Sequence, residues 1–462
     1  MPASTDPIRR PEAPAFVVGF ADRDDLAAYH RLRHDAFVDE QGLFENDHDE
    51  HDEDPRTRVL VARTPRGDVI GGVRLGPLCS PDIGWWRGSR LVVASTSRLH
   101  LGVGPALVRA ACDEAAARGV LRFDALVQER HSRLFARLGW QRRADCSLAG
   151  MPHARMEWPI DRLARHALAA KSYLGDLLRP LAAVPGGLGS AGFVGDDGAP
   201  VPGSDLVAAC DAVLPSMVEH DPEWAGWCAV LVNLSDISAM GARAVGLLNA
   251  LGTPTTDHAR RVIRGVADAS VAWGVPVLGG HTQIGVAPAL SVTALGAAVS
   301  PIPASAARAG DALRVTVDTG GGWRPGYPGR QWDSSSRRSA EELRALARLV
   351  PDNSPRAAKD ISMAGMIGTI GMMCEASGVG AEVDMTAVPR PAAAAVADWL
   401  TCFPGYGMIT ADAPGTGFDT HRTPVDTATC GMATAAPGVR LRWPDGEVTD
   451  AVPPAVTHLG AA

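Results

Sequence analysis

Cysteine is scarce in this chain: eight in 462 residues, at positions 79, 112, 146, 210, 228, 374, 402 and 430. No two form a Cys-x-x-Cys pair, which excludes a disulfide scaffold and a zinc ribbon and points to a reduced, cytoplasmic protein. Long apolar runs are missing as well. Stretches such as Trp227 to Leu234 fall far short of the ~20 residues that a membrane helix needs, so no membrane partner is expected. The N-terminus, Met1 to Pro14, carries Asp6, Arg9, Arg10 and Glu12 with no apolar core, so it is not a signal peptide. There is no basic excess: 44 basic against 52 acidic residues leave a net charge of -8, which argues against a nucleic-acid partner. Glycine (50) and proline (35) are plentiful but follow no period, which excludes a collagen-like repeat.

Apolar residues make up 46% of the chain, enough for several ordinary cores, and 462 residues predict about three domains. Turn-forming residues divide the sequence into a segment over 16–159, a helical connector over 160–188, and two further segments over 189–303 and 309–454. The first reads as α/β. Short apolar runs at Val59–Ala62, Val69–Leu75 and Arg90–Val93, and the alternation of Leu121, Phe123, Ala125 and Val127, predict strands. Val103, Leu107, Ala110 and Ala111 share one helix face, and Pro105 suits its first turn.

Before that helix stands the turn Leu101-Gly102-Val103-Gly104-Pro105-Ala106-Leu107. Its glycines would let backbone approach a phosphate, and the helix start would aim N–H groups at it; a plain strand-to-helix turn is the simpler reading. Leu32-Arg33-His34-Asp35-Ala36-Phe37-Val38-Asp39-Glu40-Gln41-Gly42 lies upstream and Leu134-Phe135-Ala136-Arg137-Leu138-Gly139-Trp140 downstream. In this order the segments resemble the GCN5-related N-acetyltransferase family. The resemblance implies an acyl-CoA cofactor, acetyl-CoA in the simplest case, on Gly102, Val103, Gly104 and Pro105, and direct acyl transfer to an amine. Glu40 is the candidate general base; a structural helix-end carboxylate is the equal alternative. Leu99 stands where that family usually has Arg or Gln, and none of the four Tyr lies near Glu129–Trp140.

The run Glu45-Asn46-Asp47-His48-Asp49-Glu50-His51-Asp52-Glu53-Asp54 is the densest charge in the chain. It reads first as a solvated loop; recruitment of a cationic amine or a metal are the other readings.

The later segments carry several aspartates in glycine- or serine-containing turns: Gly195-Asp196-Asp197-Gly198-Ala199, Asp211 after an apolar run, and Asn233-Leu234-Ser235-Asp236-Ile237-Ser238-Ala239-Met240-Gly241-Ala242. Leu278-Gly279-Gly280-His281-Thr282 follows. Hard carboxylate oxygens of this kind suit magnesium and, through it, phosphates. The order of these elements resembles the aminoimidazole ribonucleotide synthetase superfamily. Lys359-Asp360-Ile361-Ser362-Met363-Ala364-Gly365-Met366-Ile367-Gly368-Thr369 resembles a helix start in that superfamily's second domain. The resemblance implies a two-domain α+β module, a two-fold dimer through the first half, and ATP with magnesium. Asp196, Asp197, Asp211 and Asp236 would hold the metal, and Asn233 and His281 would contact or support the nucleotide. The basic residues nearest Asp236 in sequence are His220 and Arg243, so converging carboxylates predict a bound cation. Thr319-Gly320-Gly321-Gly322-Trp323-Arg324-Pro325-Gly326-Tyr327 reads as an ordered surface loop, or else as a mobile substrate loop.

The whole reads as a bifunctional enzyme: an N-acyltransferase taking an amine, fused to an ATP-dependent activity on a second small molecule. The alternative, favoured by Leu99 and the missing Tyr, is a CoA- or nucleotide-binding sensor that has lost one or both activities.

Overall fold

A computed structural model describes residues 16–95, 102–420 and 423–462. Leu99 and its neighbours Arg98 and His100 lie outside these residues. The chain forms two compact units, Met1–Ile160 and Asp161–Ala462.

The first unit is built on one seven-stranded sheet. Its strands are β1 (Val17–Phe20), β2 (Arg58–Arg63), β3 (Val69–Pro77), β4 (Trp85–Val93), β5 (Arg122–Gln128), β6 (Gln141–Leu148) and β7 (Met151–Trp158). The spatial order is β1-β2-β3-β4-β5-β7-β6. Helices α1 (Arg23–Arg33), α2 (Glu50–Glu53), α3 (Val103–Ala117) and α4 (Ser132–Arg137) complete it. Asp22 starts α1 with a capping box, its carboxylate accepting from Asp25 N while Asp25 reaches back. Val103, Leu107, Val108, Ala111, Cys112 and Ala115 are buried on α3, where they join Leu75, Phe123 and Trp140 in the core. β4 and β5 are parallel, because α3 crosses between them. They pair only from Trp85↔Arg122 to Gly88↔Ala125. Beyond that point β4 continues to Val93 and β5 to Gln128 with no ladder between them, so backbone groups face a gap.

In the second unit, α5 (Arg162–Lys171) and α6 (Leu174–Ala182) occupy the stretch expected as a connector. α5 is docked: His166 Nε2 lies 3.0 Å from Met363 O. A first sheet holds β8 (Ala199–Pro200), β9 (Leu206–Ala212), β10 (Arg243–Thr253), β11 (Val277–Ile284) and β12 (Ala289–Ala297), in the order β11-β10-β12-β9-β8. Helices α7 (Pro215–His220), α8 (Pro222–Ala239) and α9 (Thr256–Trp273) accompany it. α8 is buried along nearly its whole length, which is why it lacks a polar face. The opposite face of this sheet is open, exposing Leu248 and Leu278.

A second sheet follows, with β13 (Ala312–Val317), β16 (Ala357–Asp360), β17 (Gly380–Asp384), β18 (Gly407–Asp412), β19 (Asp426–Thr434), β20 (Gly438–Arg442) and β21 (Val448–Val452). Its order is β16-β18-β13-β19-β17-β20-β21. The pair β14 (Gly322–Trp323) and β15 (Trp332–Asp333) stands apart. α10 (Ala340–Asn353), α11 (Gly365–Ser377) and α12 (Val396–Thr401) pack around this half. Leu343, Leu346 and Leu349 of α10 join Trp224, Leu231 and Val262 in one core. No described helix is long and apolar enough to cross a membrane.

Candidate functional site

The strongest concentration of unmatched charge lies in the second unit. Asp197, Asp236 and Asp360 each place a carboxylate oxygen within 4.8 Å of the others. Three elements deliver them. Asp197 follows the turn at Gly195, whose φ of +69° and contact with Leu459 admit no side chain. Asp236 lies on α8, three residues after Asn233 and so on the same helix face. Asp360 ends β16, and its backbone N–H donates to Asp197 Oδ2 at 2.9 Å.

The remaining expected residues sort by what their polar atoms already do. Asp196 accepts from its neighbour Asp197 N at 2.8 Å and from Ala304 N at 2.8 Å, so both of its oxygens tie backbone. Asn233 is fully buried; its Oδ1 accepts from Asp211 N at 2.9 Å and its Nδ2 donates to Ala229 O at 2.8 Å. It was expected to contact the nucleotide or to support its site; its amide holds the end of β9 and positions Asp211, the supporting role. His281 sits exposed on the edge strand β11, opposite Ala250. β10 and β12 stand between it and β9, roughly 14 Å at the usual strand spacing, so the fold does not bring it to the carboxylates of its own chain.

The expectation that only a bound cation neutralises this cluster is corrected. Lys359, buried on β16, donates to Asp197 and lies 3.9 Å from Asp196. The sequence distance between Asp236 and any base concealed it, because the second sheet supplies the lysine. Burial alone would lower the Lys359 ammonium, but Asp197 and Asp196 outweigh it and hold it above its usual range.

One ammonium does not balance the set. Burial, then Asp360, Asp211 and Asp197, push the Asp236 carboxyl well up. Burial and Asp197 do the same to Asp360, with Lys359 opposing. Asp196 is pushed to about 6, chiefly by burial, with Lys359 opposing and Asp197 reinforcing. Asp211, which is exposed in this chain, is raised by the desolvation of its carboxyl among the neighbouring groups. Clustered hard oxygens whose ionised forms are disfavoured fit a divalent cation of the magnesium type, which would relieve both the burial cost and the repulsion. Asp360 belongs to this set and was not foreseen there; the run Lys359-Asp360-Ile361-Ser362 was its visible signal.

The loop after Thr319 is tied to its surroundings by side-chain bonds. Arg338 donates to Asp318 at 2.6 and 2.9 Å. Arg324 pairs with Asp221 at 2.7 Å, and Trp332 Nε1 donates to Gly320 O at 2.6 Å.

The model of AIR synthase related protein, N-terminal domain, matches residues 195–298, and that of its C-terminal domain matches residues 317–418. An uncharacterized protein of Synechocystis is 38% identical over 230 residues, spanning 48% of this chain and 71% of the relative. The chain belongs to the AIR synthase-related family. Asp197 and Asp236 fall within its N-terminal domain and Asp360 within its C-terminal domain, so the cluster joins the family's two halves. Thiamine-monophosphate kinase of Synechococcus elongatus is 29% identical over 226 residues, which are 43% of this chain and 68% of that enzyme. The solved complex of AaThiL with AMPPCP and TMP has 19% identity, covers 60% of this chain and 94% of that chain, and has a TM-score of 0.47.

In the first unit, the charged run is not a solvated loop. Arg33 is fully buried and pairs with Asp52 at 2.8 Å. Arg74 reaches Asp49 at 2.5 Å and Asp52 at 2.7 Å, and Arg90 reaches Asp49 at 2.7 Å. Burial would raise Asp49, but Arg74 and Arg90 hold it well below the usual range. Glu40 is exposed at the end of the helical turn His34–Asp39. The adjacent Gln41 accepts from Gln128 Nε2 at 2.7 Å, which sets Glu40 near the end of β5. Gly102 caps α3 with φ +119° and open space beside it, and Pro105 lies in the first turn as expected. Val103 is buried on the core side of α3 and serves packing.

Proposed function

We propose that the second unit transfers a phosphoryl group from magnesium-ATP to a small-molecule substrate, in the manner of the kinases and synthetases of its family. The observation that carries this is the convergence of Asp197, Asp236 and Asp360 across both family domains, with more carboxylate than Lys359 balances. Magnesium held there would bind phosphate oxygens and offset their charge. The protein's own part is positional: Asp360 N–H and Lys359 orient Asp197, and Asn233 orients Asp211. The open sheet face with Leu248 and Leu278 supports a homodimer, whose interface would also cover the exposed His281. Titration of ATP with and without magnesium, followed by a screen for metabolites that accelerate ADP release, tests the reading. ATP binding indifferent to magnesium would sink it.

A second reading concerns the first unit: acyl-CoA-dependent N-acylation of an amine. It is supported by the parallel β4–β5 pair that separates after Gly88↔Ala125, and by the α3 start that follows β4. The free N–H groups of Val103 and Gly104 would receive the pyrophosphate, and Glu40 would serve as base. A Cβ at Gly104 would meet nothing closer than Val93 Cγ2 at 3.8 Å, so Gly104→Val should fold. Its larger side chain would crowd the pyrophosphate. Acetyl-CoA binding by the parent and not by the variant is the expected result; equal binding removes the turn from the site.

A further inference from the structure

Lysine is nearly absent from this chain. Of 44 basic residues only two, Lys171 and Lys359, are lysines; the rest are arginines. Both belong to the surroundings of the carboxylate cluster, although they come from elements far apart in sequence. Lys359 is already engaged by Asp197 and Asp196. Lys171, the last residue of α5, is half-buried and has no hydrogen bond or ion pair among the described residues.

Its place is fixed by the helix that carries it. His166 is bonded to Met363 O at 3.0 Å, in the loop just after Asp360. One residue on, Ala167 packs so closely on Gly368 of α11 that a Cβ there would lie 2.9 Å from the Ala167 Cβ. These contacts anchor α5 beside the end of β16, and Lys171 follows one turn later. Its field is felt by the carboxylates without a bond to either of two of them: desolvation raises the exposed Asp211 and the buried Asp360, and Lys171 opposes the rise at each. An arginine fork suits planar pairing with one carboxylate, and this chain uses it so at Asp49, Asp318 and Asp221. A compact ammonium suits phosphate oxygens, which it contacts as a point charge.

We propose that Lys171 binds a phosphoryl oxygen of the polyphosphate held at the Asp197–Asp236–Asp360 site. The proposal rests on the nucleotide reading given above and adds to it the residue that grips the anion. Lys171 and the carboxylates then act on opposite charges. Removing the ammonium should weaken the anion's binding while leaving the cation's equal or tighter, since less positive charge faces the metal. A purely structural residue would not separate the two.

The test uses the full chain, as the parent, Lys171→Gln and Lys171→Arg. Magnesium-ATP and magnesium-AMP are titrated by calorimetry, and manganese alone is followed by the resonance of the free ion. Lys171→Gln is expected to lose roughly ten- to a hundredfold in magnesium-ATP affinity, the range for a charged hydrogen bond, and far less for magnesium-AMP. Its manganese affinity should be unchanged or higher, and Lys171→Arg should recover part of the loss. Equal magnesium-ATP affinity in Lys171→Gln and parent overturns the assignment, as does an equal loss for ATP and AMP. A parent that binds no magnesium-ATP overturns the nucleotide reading itself, and this proposal with it.

Discussion

Two groups of aspartates in this protein are treated in opposite ways by their surroundings. In the first unit, Asp49 and Asp52 are met by Arg33, Arg74 and Arg90, and Asp49 is held well below its usual range. In the second, Asp236 and Asp360 are buried beside other carboxylates with Lys359 as their near cation, and both are pushed well up. Charge that is matched within the chain serves the fold. Charge left unmatched in the interior costs stability and persists where something from outside completes it.

The first way to break this comparison is to unmatch the matched set. Asp52→Ala leaves the buried Arg33 without its carboxylate and Arg74 with Asp49 alone, and should cost the first unit about 3–5 kcal/mol. Denaturant titration of its unfolding transition checks this; a loss below about 1 kcal/mol, typical of a surface pair, would return the run to a solvated role.

The comparison sharpens within the cluster itself. Asp360→Asn should weaken magnesium-ATP binding by roughly a hundredfold, the upper range for disturbing a metal's surroundings. Asp196→Asn, whose oxygens hold backbone, should act mainly on melting temperature. If the two variants exchange these effects, the assignment of Asp360 in place of Asp196 is wrong.

Acidity offers a third test. Asp196, Asp211, Asp236 and Asp360 all bind their protons more tightly folded than unfolded. Such groups add stability below the unfolded value near 3.8, and the addition is lost as pH rises through the folded value, about 6 for Asp196. The metal-free protein should therefore lose melting temperature between about pH 4 and pH 6.5, and saturating magnesium should flatten the slope. A slope unaffected by magnesium would place its cause elsewhere.

The smallest expected effect is on assembly. Leu248→Asp on the open face of β10 should shift a dimer toward monomer in light scattering without altering the fold, since Leu248 already meets water.

Much of this was legible in the sequence, for identifiable reasons. The stripe Val103, Leu107 and Ala111 and the cap at Gly102 are local signals, and α3 lies where they place it. The aspartates stood out because glycine and serine surround them. Partners from distant strands were not legible. Lys359 and Asp360 reach Asp197 only once the second sheet packs beside the first half. Arg33, Arg74 and Arg90 similarly come to Asp49 and Asp52 from three different elements. A dense acidic run looks solvated in sequence because its neutralising arginines are not its neighbours. Whether Asn233 contacts or supports was open in sequence for a related reason: the motif shows an amide, and only the fold shows that Asp211 N and Ala229 O have used it.

The most direct measurement is calorimetry of ATP binding to the parent and to Asp236→Asn, with and without magnesium, alongside their metal-free melting temperatures. Unmatched carboxylates at a phosphate site predict binding that requires magnesium, a sharp loss in Asp236→Asn, and a variant no less stable than the parent without metal, because repulsion is relieved. ATP bound equally well without magnesium, or equally well by Asp236→Asn, would contradict the account.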